Sequence, residues 1–327
     1  MSMVILWHDD VVRHLSTKDA VKAIERSFRA EADGLVNVPS RYDINMPVGW
    51  LRIMPAAYCL DGKWICGFKV MNMTKGVGLR YAILLIDAQS GEFLALMDAE
   101  HITAVRTAAT SVLALKHLYD GRISELGVVG SGFEAKAQLR AIADFFEISK
   151  VHVYSPTEQN RVAFAKQMSE ELGLDITAVD DVVQAVSGHQ MVVFATRSTT
   201  PVVLREQIDH GSILISIGST RPDLRELDER ILRDAQVVIT DHPEQLMRES
   251  GDMIAARHLV DDKKLVPLSS LIAGEVNLAD GELKIFKSTG TALQDLALAI
   301  DVYRKAMTNF QGLQIGNFPH LKVAQGG

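Results

Sequence analysis

The chain has 327 residues, 47% of them hydrophobic, and a formal net charge of −7, which is ordinary globular material for about two domains. An acidic balance excludes a dedicated nucleic-acid binder, which carries a basic face. No apolar run reaches the roughly 18 residues of a membrane span, Asp9 and Asp10 follow the opening apolar run too closely for a signal peptide, and Cys59 and Cys66 make no metal-ligand framework; the expectation is a soluble chain in a reducing, cytoplasmic compartment.

Residues 17–34 put Ala20, Ile24, Phe28 and Ala32 on one helical face, with Thr17 as the expected cap. From Arg41 to Met97 short apolar segments (50–54, 64–71, 82–87 and 93–97) alternate with Gly or Asp turns, the texture of an antiparallel or mixed sheet. Residues 103–118 are rich in small side chains and predict a closely packed helix, so the chain up to this point is an α+β unit. After Gly121 the rhythm changes. Strand-like runs at 126–129, 151–154, 191–195, 213–217 and 237–240 alternate with helical patterns at 133–146, 157–172 and 227–233. That alternation predicts a parallel sheet with helices on both faces. A last helical pattern, about 291–309, follows the Thr289-Gly290 turn and is expected to return to the first unit. The fold class is α/β: a Rossmann-type parallel-sheet domain over 119–299, plus an α+β domain of 1–118 with 300–327.

The most specific motif is Gly130-Ser131-Gly132-Phe133-Glu134-Ala135, between the strand 126–129 and the next helix. Gly130 suits a tight turn, Gly132 keeps a side chain away from a pyrophosphate, and Ala135 allows close helix–strand packing. The helix N-terminus offers free N–H groups and the positive end of its dipole. The six loop residues are therefore candidate contacts to a nicotinamide dinucleotide, as are Thr107, Ala195 and Thr196 (the last two at the end of the third strand) and Gly218 after the fourth. The second strand ends in Ser155-Pro156-Thr157, with Arg161 one helical turn on and no carboxylate at the tip to bind a ribose 2′-hydroxyl. Ser155, Thr157 and Arg161 suit a 2′-phosphate, so NADP(H) is favoured over NAD(H); the alternative for Arg161 is a solvated helix residue. Lys69 is unusual by itself, because Phe68 and Val70 on either side look buried and an interior ammonium needs partners. An edge-strand lysine reaching water is the alternative.

Several segments together resemble the ornithine cyclodeaminase/mu-crystallin family: LRIMPAAY (51–58), GFKV (67–70), MDAEHITAVRTAATSVLA (97–114), GVVGSGFEA (127–135), ISIGSTRPDLRELD (215–228) and FKSTGTALQD (286–295). The resemblance implies a homodimer whose α+β domain both dimerises and contacts a small imino or amino acid. It also implies a substrate pocket built on Arg41, Lys69 and Arg106, with Lys69 the catalytic candidate. For Arg106 the alternative is a structural ion pair with Asp98 or Glu100. Ser288 and Asp295 are candidates beside the nicotinamide, Asp295 being equally suited to a capping or structural role. His101 reads as a surface or capping histidine, and Leu51, Met54, Met71 and Met73 as pocket lining or core filler.

The family's deaminating branches carry an acid/base aspartate where this chain has Thr220, and a threonine hydroxyl is no general base near neutral pH. Asp223 lies three residues further on, after a proline, and does not inherit the role. Reduction of a ready-made ketimine is therefore the expected reaction. Amino-acid deamination, of the ornithine cyclodeaminase or alanine dehydrogenase kind, and non-catalytic binding of a dinucleotide with a small ligand are the alternatives.

Overall fold

A computed structural model describes residues 3–309, 311–316 and 318 of the chain. They form two compact units, 1–106 with 291–327 and 107–290. Both seams fall earlier than the divisions drawn from the sequence, because one long helix gives only its first turns to the first unit and the closing helix belongs to that unit whole.

The first unit opens with β1 (Met3–Leu6), α1 (His8–His14) and α2 (Thr17–Ala32), followed by β2 (Val36–Asn37) and β3 (Tyr42–Met46). A long meander follows: β4 (Gly49–Leu60), β5 (Lys63–Thr74), β6 (Gly78–Asp87) and β7 (Phe93–Asp98). Asp61 and Gly62 both take positive φ, 55° and 74°, in the two-residue turn between β4 and β5. That is the geometry an Asp-Gly hairpin favours. The helix α2 is capped by Ser16, whose Oγ accepts the Asp19 N–H, and not by Thr17. Here the serine already stands in extended backbone, so its side chain can fold over the first turn.

The helix α3 (Glu100–Leu118) leads into the second unit: β8 (Ile123–Val129), α4 (Phe133–Ala143), β9 (Ile148–Tyr154), α5 (Glu158–Leu172), β10 (Asp175–Ala178), α6 (Val183–Val186), β11 (Met191–Phe194) and β12 (Ile213–Ser216). Next come α7 (Glu229–Asp234), β13 (Val237–Thr240), α8 (Pro243–Glu249), α9 (Gly251–Ala256), β14 (Leu265–Pro267), α10 (Leu268–Ile272) and β15 (Lys284–Lys287). Its eight strands are all parallel, in the order β10-β9-β8-β11-β12-β15-β13-β14. The late strand β15 is therefore threaded between β12 and β13. Its four residues, KIFK, carry a lysine at each end, which hides a fully buried strand from any reading of hydrophobic pattern.

The chain closes with α11 (Ala292–Thr308) and β16 (Leu313–Ile315), back in the first unit. There the sheet runs β16-β1-β7-β6-β5-β4-β2, with β3 also on β4. All its pairings are antiparallel except β1 with β7. The first half of α11, residues 292–300, is buried on every side, and the helix packs on α2, β4, β5 and β6. A helix enclosed on all sides is a core element, not a surface one.

Candidate active site

In the first unit, β5 lies between β4 and β6 and buries alternate residues: Ile65, Gly67 and Lys69. Lys69 thus occupies a core position opposite Met54 and Ile83, with 0% exposure. It is no edge-strand lysine reaching water. Its Nζ donates to Asp295 Oδ1 at 2.8 Å and lies 2.7 Å from Oδ2. Asp295, on α11, is also fully buried. Arg106, in the second turn of α3, brings its Nε to 3.3 Å from Asp295 Oδ1 and donates to Gln294 Oε1 at 3.2 Å.

Burial pushes the Lys69 ammonium down to about 8; Asp295 opposes the fall, while the charges of Arg106 and Arg41 add to it. The three residues singled out in the sequence are thus electrostatically coupled. The sequence reading missed the carboxylate at their centre as a partner of Lys69. The signal was an acid inside the apolar run TALQDLALAI, since an aspartate buried on all sides of a helix needs a cation. Met54 is core, whereas Leu51, Met71 and Met73 are half-buried. His101 is half-buried near the Leu15 carbonyl.

In the second unit the strand order turns at β8, with β9 on one side and β11 on the other. The crevice at the carboxyl ends of such strands is where open parallel sheets bind ligands. Gly130 stands there with φ +119°, and a Cβ on it would lie 2.4 Å from the Ala195 carbonyl oxygen. Gly132 caps α4, and a Cβ on it would meet nothing within 4 Å. The helix start is therefore open to a ligand, which fits a pyrophosphate held by free backbone N–H groups. Phe133 is exposed, Ser131 and Glu134 are half-buried, and Ala135 is buried.

Ser131 Oγ donates to Ser155 Oγ at 3.0 Å, joining the loop to the tip of β9. Thr157 is the N-terminal cap residue of α5, and the Ser155–Thr157 turn contains no acid. Arg161 is buried, donating to the Ser155 carbonyl at 3.3 Å and to Asp180 at 2.6 Å; it is not a solvated helix residue. Thr107 is half-buried, and its carbonyl accepts from Ser111 Oγ.

The tips of β11 and β12 are tied by a network the sequence reading did not foresee. Glu226 is fully buried and its two oxygens divide the work. Oε1 accepts from Thr196 N and Oγ1 at 2.6 and 3.0 Å. Oε2 accepts from Ser216 Oγ and Gly218 N at 2.7 and 2.8 Å. Lys287 Nζ donates to Ser216 Oγ and Asp252 Oδ2, each at 2.7 Å, and Asp252 Oδ1 accepts the N–H groups of Glu226 and Leu227. Burial pushes the Glu226 carboxyl up despite Lys287. Ser288 donates to Asp241 Oδ2, which also accepts the Gly290 N–H. Thr220 is half-buried, while Asp223 is exposed and paired with Arg221.

Comparison with known proteins extends over most of the chain. The family model described as "Ornithine cyclodeaminase/mu-crystallin family" matches residues 1–309. Alanine dehydrogenase of Archaeoglobus fulgidus is 30% identical over 97% of this chain and 99% of its own length. Ketimine reductase mu-crystallin of Mus musculus is 28% identical over 90% of this chain and 95% of its own. Among solved structures, Δ1-pyrroline-2-carboxylate reductase of Thermococcus litoralis, in complex with NADH and L-proline, is 30% identical and covers 96% of this chain and 100% of its own, with a TM-score of 0.88. By sequence and by fold, the chain belongs to the ornithine cyclodeaminase/mu-crystallin family.

Proposed function

We propose that the chain is an NAD(P)H-dependent oxidoreductase that reduces a small α-imino (ketimine) carboxylate to the amino acid. One observation carries the reading: a fully buried lysine shares an aspartate with one arginine and feels the charge of a second. Guanidinium groups bind carboxylates bidentately, so Arg41 and Arg106 take the substrate's acid. Lys69 donates a hydrogen bond to the imine nitrogen and, with its ammonium brought down to about 8, passes a proton to it as the carbon is reduced. Asp295 keeps that lysine charged and aimed.

A nicotinamide dinucleotide supplies the hydride when bound. Gly130–Ala135, Thr107, Ala195, Thr196 and Gly218 are the residues assigned to hold it, with Ser288 set by Asp241. The named relatives support this reading, since they include a reductase solved with NADH and L-proline and a ketimine reductase. The test is a screen of NADPH and NADH oxidation over cyclic imino acids, and over linear ones made from 2-oxo acids and amines. Turnover of at least one class is expected; dinucleotide binding without any turnover would favour a carrier. Oxidative deamination is the second reading, supported by the likeness to an alanine dehydrogenase. Ammonia release from an amino acid in the presence of NAD(P)+ would mark it.

The acid-free tip of β9 and the guanidinium held at the Ser155 carbonyl favour NADP(H). Arg161→Ala is expected to cut the preference for NADPH over NADH about tenfold, the worth of one charge-assisted contact. Equal ratios before and after would remove Arg161 from the site. A homodimer is supported by apolar side chains open to solvent on and beside β3 and β6, including Tyr42, Ile44, Val48 and Val77; light scattering on the purified chain measures it. Two free thiols, Cys59 and Cys66, suit a reducing cytoplasm, and no described helix is long and apolar enough to cross a membrane.

A further inference from the structure

A second group of chemistry-bearing side chains lies within the second unit, outside the machinery assigned above. Glu125 stands on β8, His152 on β9, and His189 in the turn between α6 and β11. Gly127 explains how they meet. A Cβ on Gly127 would lie 1.9 Å from the Ala185 carbonyl oxygen and 3.3 Å from Val192 Cγ1, so only glycine lets α6 settle this close to β8. His152 is the register partner of Gly127 on β9, and Glu125 lies two residues earlier on β8, with its side chain toward the same face. The turn that leaves α6 then delivers His189 to His152.

The two imidazoles approach to 2.8 Å, Nδ1 of His152 to Nε2 of His189. His189 Nδ1 is 2.9 Å from the Ser187 carbonyl oxygen. A carbonyl only accepts, so that nitrogen carries the proton and Nε2 presents its lone pair to His152. A histidine whose far nitrogen is tied to a backbone carbonyl is oriented as metal-ligating histidines are. One ligand atom from each of Glu125, His152 and His189 falls within 4.8 Å of the others. Among the described residues the Glu125 carboxylate has no hydrogen bond or ion pair, although it faces this pair. Glu125 and Asp175 contribute negative charge around His152, against Lys150.

We propose that Glu125, His152 and His189 form a binding site for a divalent transition-metal ion, zinc in the first instance. Two imidazoles and a carboxylate are a donor set zinc accepts, with water completing the shell. Bond lengths near 2.0–2.1 Å put adjacent tetrahedral ligand atoms about 3.3 Å apart, so the histidines, now at 2.8 Å, open by roughly half an ångström and the partly exposed Glu125, within 4.8 Å of them, closes by at most about 1.5 Å. The ion takes the place of the proton between the rings. That proton moves to the other nitrogen of His152, so both histidines stay neutral. A metal here ties the α6–β11 turn to β8 and β9.

The test uses the full-length, tag-free protein stripped with a chelator and titrated with zinc chloride by calorimetry. One equivalent per chain is expected, with thermal unfolding raised in step with occupancy. His152→Ala is expected to abolish the uptake, and Glu125→Gln, at a partly exposed position that leaves the fold intact, to weaken it at least about tenfold. Zinc-edge X-ray absorption on the wild-type protein, which needs no variant, should show two imidazoles in the shell. No stoichiometric uptake, uptake unchanged by Glu125→Gln, or a shell without paired imidazoles would each overturn the site.

Discussion

Two buried clusters, one in each unit, pair a lysine with an aspartate, and they are built on opposite principles. Lys287 and Asp252 share a network with Glu226, and with Arg225 at its margin, in which backbone N–H groups and the hydroxyls of Thr196 and Ser216 serve the two carboxylates. Lys69 and Asp295 are surrounded chiefly by further charge, with Arg106 on the same carboxylate and Arg41 acting on the same ammonium. The first arrangement fixes strand tips; the second gathers the positive charge to which the proposed function assigns a small acid. A fully satisfied buried network rigidifies, whereas an ammonium displaced from its ordinary value by burial and neighbouring charge is the kind of group that functional sites collect.

Substitutions can break that contrast. Lys69→Ala is expected to lower imine reduction by about 10³-fold, within the range of a lost acid catalyst, with dinucleotide affinity little changed; because it also removes the closest cation of the buried Asp295, the melting temperature falls with it. Unaltered turnover would void the assignment of Lys69. Glu226→Ala should do the reverse. It strands four donors in the interior, so denaturant unfolding should reveal a loss of about 3 kcal/mol, with weaker dinucleotide binding as a consequence. A variant as stable as the parent would demote the network to incidental contacts. Arg106→Ala is expected to raise KM for the imino acid about thirtyfold, the worth of roughly 2 kcal/mol in charge-assisted bonds.

The smallest effect is a displacement along the pH axis. Lys69 must be charged to donate, so reduction declines as pH rises through about 8. Asp295 holds that value up, hence Asp295→Asn should move the descending limb to lower pH. Stability takes the opposite course. The folded protein releases the Lys69 proton near 8 and the unfolded chain near 10.5, so between those values the unfolded state binds more protons and stability grows with pH. A profile that Asp295→Asn leaves in place would mean that another group sets the limb.

The glycine loop, the presence of the meander and the helices near 133–143 and 158–172 were legible because each has a local cause: a strand beside a glycine turn, apolar runs between Gly or Asp turns, a regular apolar period; the strands themselves extend well past those runs, over 49–60, 63–74 and 78–87. Lys69 was legible as an anomaly, a charge among buried neighbours. Its aspartate lies 226 positions later, and no local rule connects them. Glu226 was hidden for a related reason. In Arg225-Glu226-Leu227-Asp228 it looks like one member of a solvated charged run, and only the fold separates it from Asp228, which meets Arg230. Polar residues that the fold turns inward are where reading by pattern runs out.

The threading of β15 between β12 and β13 carries a consequence for biosynthesis. A growing chain that has passed residue 240 still lacks the strand that joins the two halves of its parallel sheet, and supplies it only with residues 284–287. The sheet started by β1 waits longer still, for the helix at 292–308. Neither unit can finish while the ribosome is at work on most of the message. Pairings so distant along the chain are slow to form, and a fragment stopped short of Lys284 would leave strand edges bare to other chains.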